Sequence, residues 1–318
     1  METNQHMIIR EEKREDFRRI AEVHADAFYE STGQEESVLT ALLRQEKGFT
    51  PKLSLVAQLD NEIAGHVLVV PYTFHLYGLA VRGGILAPIG VKRKYQYKGV
   101  GSRLMEAVHE KAGELNLSFI LLLGHEKYYT RFGYETNMFG EAALAIQLNG
   151  TSAEKTELTS RKISTSDLPA LMEMWEETNR DVPLILKPEK ELTSWLSTNK
   201  EILSLVYEER GRTAGFVRIH KRTKEIKMFL SHNKQYASQM AEALMETFNM
   251  EREVIIPVHP KRKNWFNSFS PSVKMETWNA AMICPVGSDE SVKRYITTVK
   301  HSPEKAGSII WPVAFEAI

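Results

Sequence analysis

The sequence contains few of the residues that identify an exported, membrane-bound or metal-binding protein. Cys284 is the only cysteine among 318 residues, so no internal disulfide can form. Histidine, cysteine and carboxylate residues are not grouped at metal-ligand spacing, and we therefore predict no metal. The charged N-terminus lacks the apolar core of a signal peptide, and no window approaches a membrane span. We predict a cytoplasmic protein without a membrane partner.

An excess of charge of either sign is also absent. Forty-one basic residues balance 41 acidic ones, so no global field favours nucleic acid. We interpret the local basic and aromatic cluster at 261–266 as a solvated helix start over packed aromatic rings, and predict no nucleic-acid partner. Hydrophobic residues, in contrast, make up 42% of the chain, which at this length is enough for two domain cores.

Glycine is unevenly distributed and marks one local unit. Ile85–Val91 is a short apolar run that predicts a strand, and Gln96, Gly99 and Gly101 follow it with the spacing Q-x-x-G-x-G. Phe119–Leu123 is a second unbroken apolar run, typical of a buried parallel strand. The two strands and the helix between them predict a right-handed βαβ unit. The apolar face of that helix consists of Val100, Leu104, Ala107, Val108, Ala112 and Leu115.

The glycine loop has the chemistry of a phosphate site. Gly99 and Gly101 lack a Cβ, so backbone N–H groups can approach an anion closely. The loop leads into a helix N-terminus, whose unpaired N–H groups and dipole favour phosphate oxygens. We expect three side chains to add positive charge there, those of Arg93, Lys94 and Lys98.

This loop resembles motif A of the GNAT superfamily of N-acetyltransferases, whose Q/R-x-x-G-x-G/A loop holds the pyrophosphate of acetyl-CoA. Residues 124–134 are similar to the G-H/D-x-x-Y-Y-x-R-F-G-F motif B of one GNAT branch, and residues 65–67 to its G-H-[IV]. The resemblance covers about residues 7–148. It implies acetyl-CoA as the acyl donor, held by Ile89, Gly90, Val91, Gln96, Tyr97, Lys98, Gly99, Val100, Gly101 and Ser102.

The resemblance also implies direct transfer of the acetyl group to an amine. Tyr129 lies four residues before Gly133, the position of the leaving-group tyrosine in many GNAT enzymes, whereas we assign Tyr128 to packing. His125 and Glu126 follow the second apolar strand and are candidates for the base. The amides around Ile89, Gly90 and Val91 are candidates for stabilising the oxyanion. Many relatives carry an asparagine where this chain has Leu122.

The acceptor side is less defined by the sequence. In GNAT proteins the first two helices flank the acceptor site, and Glu30, Glu35 and Glu36 lie in this region. We interpret them as a solvated acidic face, with contact to a cationic acceptor as the alternative. We interpret His24, on the apolar face of the first helix, as a satisfied core or rim histidine. The acceptor itself, a small-molecule or peptide amine, stays open between polyamine, antibiotic, amino acid and protein N-terminus.

Pro88 interrupts the strand that precedes the loop. Proline cannot donate to a sheet ladder, so it indicates an edge or a bulge. A GNAT fold has a bulge in its fourth strand that separates this strand from the fifth, and Pro88 is placed where that bulge would lie. The predicted fold class is α+β, with a mixed, mostly antiparallel sheet, a central βαβ unit and a splayed strand pair.

The second half of the chain repeats part of the first. LSLV occurs at 53–56 and at 203–206, and Ala-Gly at 64–65 recurs at 214–215. No glycine lies between Gly215 and Gly287, so the loop is not repeated. We predict a catalytic GNAT domain at 1–148, a polar linker at 149–160, and a GNAT-like domain at 161–318 that folds like the first but binds no CoA. Its role is open between covering the acceptor cleft and forming a homodimer surface.

Two other classes of function are compatible with the sequence. The chain could be a non-catalytic acyl-CoA-binding regulator or partner-binding module, which would need the phosphate loop but no acid or base. The tandem arrangement could also serve as a scaffold. Tyr129 favours the enzyme, because a binding protein needs no proton donor at that position.

Overall fold

The computed structural model of the chain describes residues 6–147, 157–250 and 253–317. Ten helices and strands come from the first half of the chain. The helices are α1 (Phe17–Ala27), α2 (Glu35–Leu43), α3 (Val100–Glu114) and α4 (Glu126–Tyr129). The strands are β1 (Met7–Glu11), β2 (Ser54–Leu59), β3 (Glu62–Leu76), β4 (Leu79–Val91), β5 (Phe119–Leu123) and β6 (Phe139–Gln147).

The second half contributes more strands and fewer helices. Its helices are α5 (Leu168–Asn179), α6 (Lys234–Thr247) and α7 (Glu290–His301). Its strands are β7 (Thr159–Lys162), β8 (Leu184–Leu186), β9 (Ile202–Glu209), β10 (Arg212–His220), β11 (Ile226–Ser231), β12 (Glu253–Ile256), β13 (Ser272–Thr277), β14 (Ala281–Pro285) and β15 (Gly307–Ser308). None of the helices described is long and apolar enough to cross a membrane.

The first sheet has the strand order β1-β2-β3-β4-β5-β14, and β8 pairs with the end of β3. All its pairs are antiparallel except β4 and β5, which are joined by α3 and form the predicted parallel βαβ unit. The predicted α+β class with a mixed, mostly antiparallel sheet is therefore confirmed. β4 starts six residues before the predicted strand because Leu79–Gly84, which precede the unbroken apolar run, pair in a hairpin with β3.

The two halves of the chain share sheets: besides β8, each half places a strand among or beside strands of the other half. β6 lies between β12 and β13, and β14 lies beside β5. The second half also forms a separate sheet of order β11-β10-β9-β7. The predicted boundary at 149–160 thus divides the chain in sequence but not in its sheets. Residues 149–156 of that segment lie outside the described residues, and Thr159 and Ser160 belong to β7 rather than to a linker.

The first sheet is covered on both faces, as the alternation along β3 requires. Val67 and Val69 pack in the core cluster that contains α3, and Leu68 and Val70 pack with α2. Helix α1 also contacts β3 and β4. The strand that precedes the glycine loop therefore has α3 on one face and the two N-terminal helices on the other.

One side-chain arrangement occurs in both halves. The Arg10 guanidinium donates two hydrogen bonds to Asp16, of 2.6 and 2.9 Å, and one to Gln58 across the β1–β2 pair, of 2.9 Å. The second half has the same contacts, formed by Arg161, Asp167 and Glu208. Each of the two arginines thereby ties the start of a helix to a neighbouring strand.

Candidate active site

The candidate site begins where β4 separates from β5. These strands pair only over Gly83–Ile85 and Phe119–Leu121. Opposite β3 the register shifts between Val67 and Val69, which leaves an extra residue in β4 at the predicted bulge beside Pro88. Beyond the bulge β4 continues along β3 without β5, so the predicted splayed pair is confirmed.

The free edge of β4 carries backbone groups that face the opening. The Lys92 N–H donates to the Ala64 carbonyl of β3 at 2.9 Å. Because backbone groups alternate in direction along a strand, those of Ile89 and Val91 point away from β3 and into the opening. The Val91 carbonyl accepts a hydrogen bond of 3.1 Å from Gln96 Nε2. Gln96 therefore fastens the glycine loop to the strand.

The loop ends at an uncapped helix N-terminus. Gly99 is the N-cap residue of α3, with φ of 80°, and a Cβ on it would have no atom within 4 Å. No side chain caps α3, and the first intrahelical bond runs from the Arg103 N–H to the Gly99 carbonyl at 3.1 Å. The N–H groups of residues 100–102 therefore have no partner within the helix. Tyr97, also at positive φ, is fully exposed beside them.

The basic side chains of this region are mostly neutralised. Arg93 pairs with Asp26 at 3.2 Å, and Lys94 pairs with Glu62 at 2.6 Å. Hydrogen bonds from lysine side chains lower the pKa of Glu62 to about 2. The positive charge expected from Arg93 and Lys94 is therefore offset by these carboxylates. Of the three predicted cations, only Lys98 has no carboxylate partner among the described residues.

Tyr129 closes the other side of the opening. It is only 9% exposed, and its ring lies 2.3 Å from the position that a Cβ on Gly124 would take. The rings of Tyr128 and Tyr134 contact it edge-on, with centroids 4.9 and 5.7 Å away. Its hydroxyl forms no hydrogen bond with the described part of the chain. Burial raises the pKa of Tyr129, so the phenol keeps its proton at neutral pH.

Tyr128 contacts the glycine loop as well as Tyr129. A Cβ on Gly101 would lie 2.5 Å from the Tyr128 hydroxyl oxygen. Gly101 is therefore required for the approach of this tyrosine to the N-terminus of α3. The sequence interpretation of Tyr128 as a packing residue did not identify this contact.

His125 and Glu126 are both exposed. His125 is the N-cap residue of α4, where its carbonyl accepts from the N–H groups of Tyr128 and Tyr129 at 2.9 and 3.2 Å. Asn279 Nδ2 lies 3.5 Å from Glu126 Oε2. No hydrogen bond joins the side chain of His125 or Glu126 to Tyr129. Both residues stay candidates for the base.

Glu36 is an acidic residue that sequence reasoning assigned to a solvated face. It lies in the first turn of α2 and is half-buried, whereas Glu35 beside it is exposed. Burial raises the pKa of Glu36, and its charge contributes to raising the pKa of Tyr129. Glu36 is thus near the candidate proton donor. Two adjacent glutamates at a helix start were the available signal, but the sequence could not show which one turns inward.

Residues 8–137 match the sequence model of a family described as an acetyltransferase (GNAT) domain. This range includes the splayed strands, the glycine loop and Tyr129. The predicted GNAT domain is therefore confirmed for this part of the chain.

Three similar proteins extend the comparison. The uncharacterised N-acetyltransferase YjhQ of Escherichia coli (strain K12) is 35% identical over 116 residues, or 36% of this chain. The matched region spans 62% of the length of that relative. A solved structure from Enterococcus faecalis V583, described as a probable N-acyltransferase, has a TM-score of 0.68 at 12% identity and covers 89% of this chain and 73% of its own. A GNAT acetyltransferase from Brucella melitensis, solved with acetyl-CoA, is 32% identical with a TM-score of 0.37, covering 42% of this chain and 84% of its own.

Proposed function

We propose that the protein is an acetyl-CoA-dependent N-acetyltransferase that moves the acetyl group directly to an amine acceptor. The observation that carries this proposal is the open edge of β4 followed at once by an uncapped α3. The edge offers the backbone groups of Ile89 and Val91, and the helix offers three unpaired N–H groups. An elongated ligand with an amide-containing arm and a pyrophosphate matches both.

Acetyl-CoA would lie along the free edge of β4 and reach the N-terminus of α3. Its pyrophosphate would accept hydrogen bonds from Val100, Gly101 and Ser102, where the helix dipole favours negative charge. Its pantetheine amides would pair with the backbone of β4 as an added strand does. Gln96 keeps the loop at the end of the strand through its bond to the Val91 carbonyl. The thioester would then lie between β4 and Tyr129.

Transfer requires a C–N bond to form while the C–S bond breaks. The N–H group of Ile89 would stabilise charge on the thioester oxygen, and that of Val91, nearer the loop, would pair with the pantetheine arm. Tyr129 would give its proton to the departing thiolate, for which a protonated phenol is required. The Glu36 carboxylate is suited to bind a cationic amine and, directly or through water, to accept the proton that the amine loses. Solvent then returns the proton to Tyr129.

Titration of acetyl-CoA into a variant of the glycine loop tests donor binding. Gly99→Val should lower acetyl-CoA affinity by about 1 kcal/mol or more, because the new side chain occupies the space of the pyrophosphate. Isothermal titration calorimetry measures this loss. The matched control is Gly78→Val in the β3–β4 turn, because Gly78 has φ of 81° and the same open surroundings. It should bind acetyl-CoA like the wild type.

Unchanged affinity in Gly99→Val would remove the phosphate assignment. The transfer reaction itself is tested with wild-type protein by thiol release from acetyl-CoA. A panel of a polyamine, an amine-bearing antibiotic, free amino acids and peptides with a free N-terminus covers the open acceptor classes. If no amine in a broad set raises thiol release above the acceptor-free rate, the proposed activity is contradicted.

A further inference from the structure

Buried polar side chains connect five segments of the first half on the face of β4 that α1 covers. Arg44 donates hydrogen bonds of 3.0 and 2.7 Å to the Glu12 carboxylate. His66 Nε2 lies 3.6 Å from Glu12 Oε2 and 2.9 Å from Ser54 Oγ. His66 Nδ1 lies 2.8 Å from His24 Nε2. We call Glu12, His66 and His24 the histidine chain, and none of the three is more than 5% exposed.

The charge of Glu12 decides where the protons of the histidine chain lie. Burial disfavours the charged carboxylate, but the nearby His66 imidazole and the hydrogen bonds from Arg44 outweigh it and lower the pKa of Glu12 to about 2. We assign the proton of His66 to Nε2, because this nitrogen faces both Ser54 Oγ and the ionised Glu12 carboxylate. With that assignment His66 Nδ1 accepts from His24 Nε2–H. Burial lowers the pKa of His24 far below its usual value. His24 is therefore neutral, and its Nδ1 holds a lone pair.

That lone pair faces the backbone of β4. His24 Nδ1 is buried without a hydrogen-bond partner in the part of the chain that the structure describes. A Cβ on Gly90 would lie 2.7 Å from it, so the imidazole packs directly on the glycine. A lone pair can accept weak contacts from the Cα hydrogens of Gly90, whereas an N–H in the same place would be buried without an acceptor. The contact thus depends on the proton arrangement set by Glu12.

Gly90 lies between the two residues that face the opening. Beyond Ile85, β4 pairs with β3 on one edge and with no described strand on the other. Packing against its faces must therefore fix the strand in the remaining directions. We propose that the histidine chain positions β4 at Gly90, so that the N–H group of Ile89 meets the thioester oxygen and that of Val91 meets the pantetheine arm. This inference rests on the proposed function, and His24 and His66 are positioning residues because they act through the strand.

The test is His24→Leu, read by the infrared band of acetyl-CoA labelled with ¹³C at the thioester carbonyl. In the wild type the bound band should lie below that of the free donor, because N–H groups polarise the carbonyl. His24→Leu should lose most of this shift, while its affinity for CoA without the acetyl group stays within about twofold, since the pyrophosphate binds at α3. His109→Leu is the control, because it removes a different histidine, which is partly buried and hydrogen-bonded to Tyr134 at 3.0 Å. It should keep the shift.

The outcomes separate this inference from the proposed function. If the wild type binds acetyl-CoA and the band shift is absent, or unchanged in His24→Leu, the inference is overturned and the proposed function stands. If the wild type binds no acetyl-CoA, both fall. Should His24→Leu fail to fold, ¹⁵N spectra of the histidine rings in the wild type decide. A proton on Nε2 of both rings at neutral pH is expected, and a proton on His24 Nδ1 would overturn the inference.

Discussion

At the scale of single residues, the Tyr129 hydroxyl is the group that the proposed chemistry uses most directly. Tyr129→Phe keeps the ring that packs over Gly124 but removes the proton donor. Turnover should fall by about 10²–10⁴-fold, the usual contribution of a general acid. Acetyl-CoA affinity should change little, because the hydroxyl has no hydrogen bond in the described part of the chain. Steady-state kinetics and calorimetry on the same preparation measure both effects.

The control for this prediction is Tyr134→Phe. Tyr134 packs against Tyr129 and its hydroxyl bonds to His109, so the variant loses a buried hydrogen bond beside the same ring. It should lose some stability and keep turnover. Equal turnover in Tyr129→Phe and the wild type, with the chemical step shown to be rate-limiting, would exclude Tyr129 as the acid.

The residues of the candidate site differ in how far the sequence could predict them. Gln96 and Gly99 were predictable because strand, loop and helix are contiguous, and local spacing then decides the geometry. Glu36 and His24 lie near groups that are far away in sequence, and no spacing rule connects such positions. The pairing of Lys94 with Glu62 was not predicted for the same reason, because Glu62 lies on β3.

At the scale of elements, α3 and α6 each follow a strand but differ at their N-termini. Gly99 leaves the α3 amides free, whereas the Asn233 side chain caps α6 by accepting from the Tyr236 N–H at 2.9 Å. An occupied cap has no donor to offer a phosphate at that position. We expect calorimetry to give one acetyl-CoA per chain. Asn233→Ala should lower the free energy of unfolding by about 1 kcal/mol and leave that stoichiometry unchanged.

A stoichiometry of two, with one site lost in Asn233→Ala, would place a second donor site at α6.

The elements themselves were largely predictable, because apolar runs and helical periodicity are local properties. β5 has the predicted bounds, Phe119–Leu123. The exchange of β6 and β14 was not predictable, because a strand's pattern of apolar residues defines its buried face and not its partner.

At the scale of the whole molecule, the strand exchange makes the two halves depend on each other. Without residues 161–318, β5 would lose β14, and the Gly124 N–H would lose the Ala280 carbonyl, 3.0 Å away, next to the candidate acid. Without residues 1–160, β12 and β13 would lose the strand between them. Unpaired strands with apolar side chains favour aggregation. The exchange therefore indicates that residues 161–318, predicted from the sequence as a separate GNAT-like domain, depend on the first half for a complete sheet.

We expect neither 1–160 nor 161–318 to form a stable monomer when produced alone, and co-expression of both to give a one-to-one complex that binds acetyl-CoA. Size-exclusion chromatography and circular dichroism measure assembly and folding, and the intact chain is the reference. The intact chain should unfold in a single cooperative transition, because neither sheet system is complete without the other half. A monomeric 161–318 with its own cooperative transition would show that β6 is dispensable to the second half and would contradict this prediction.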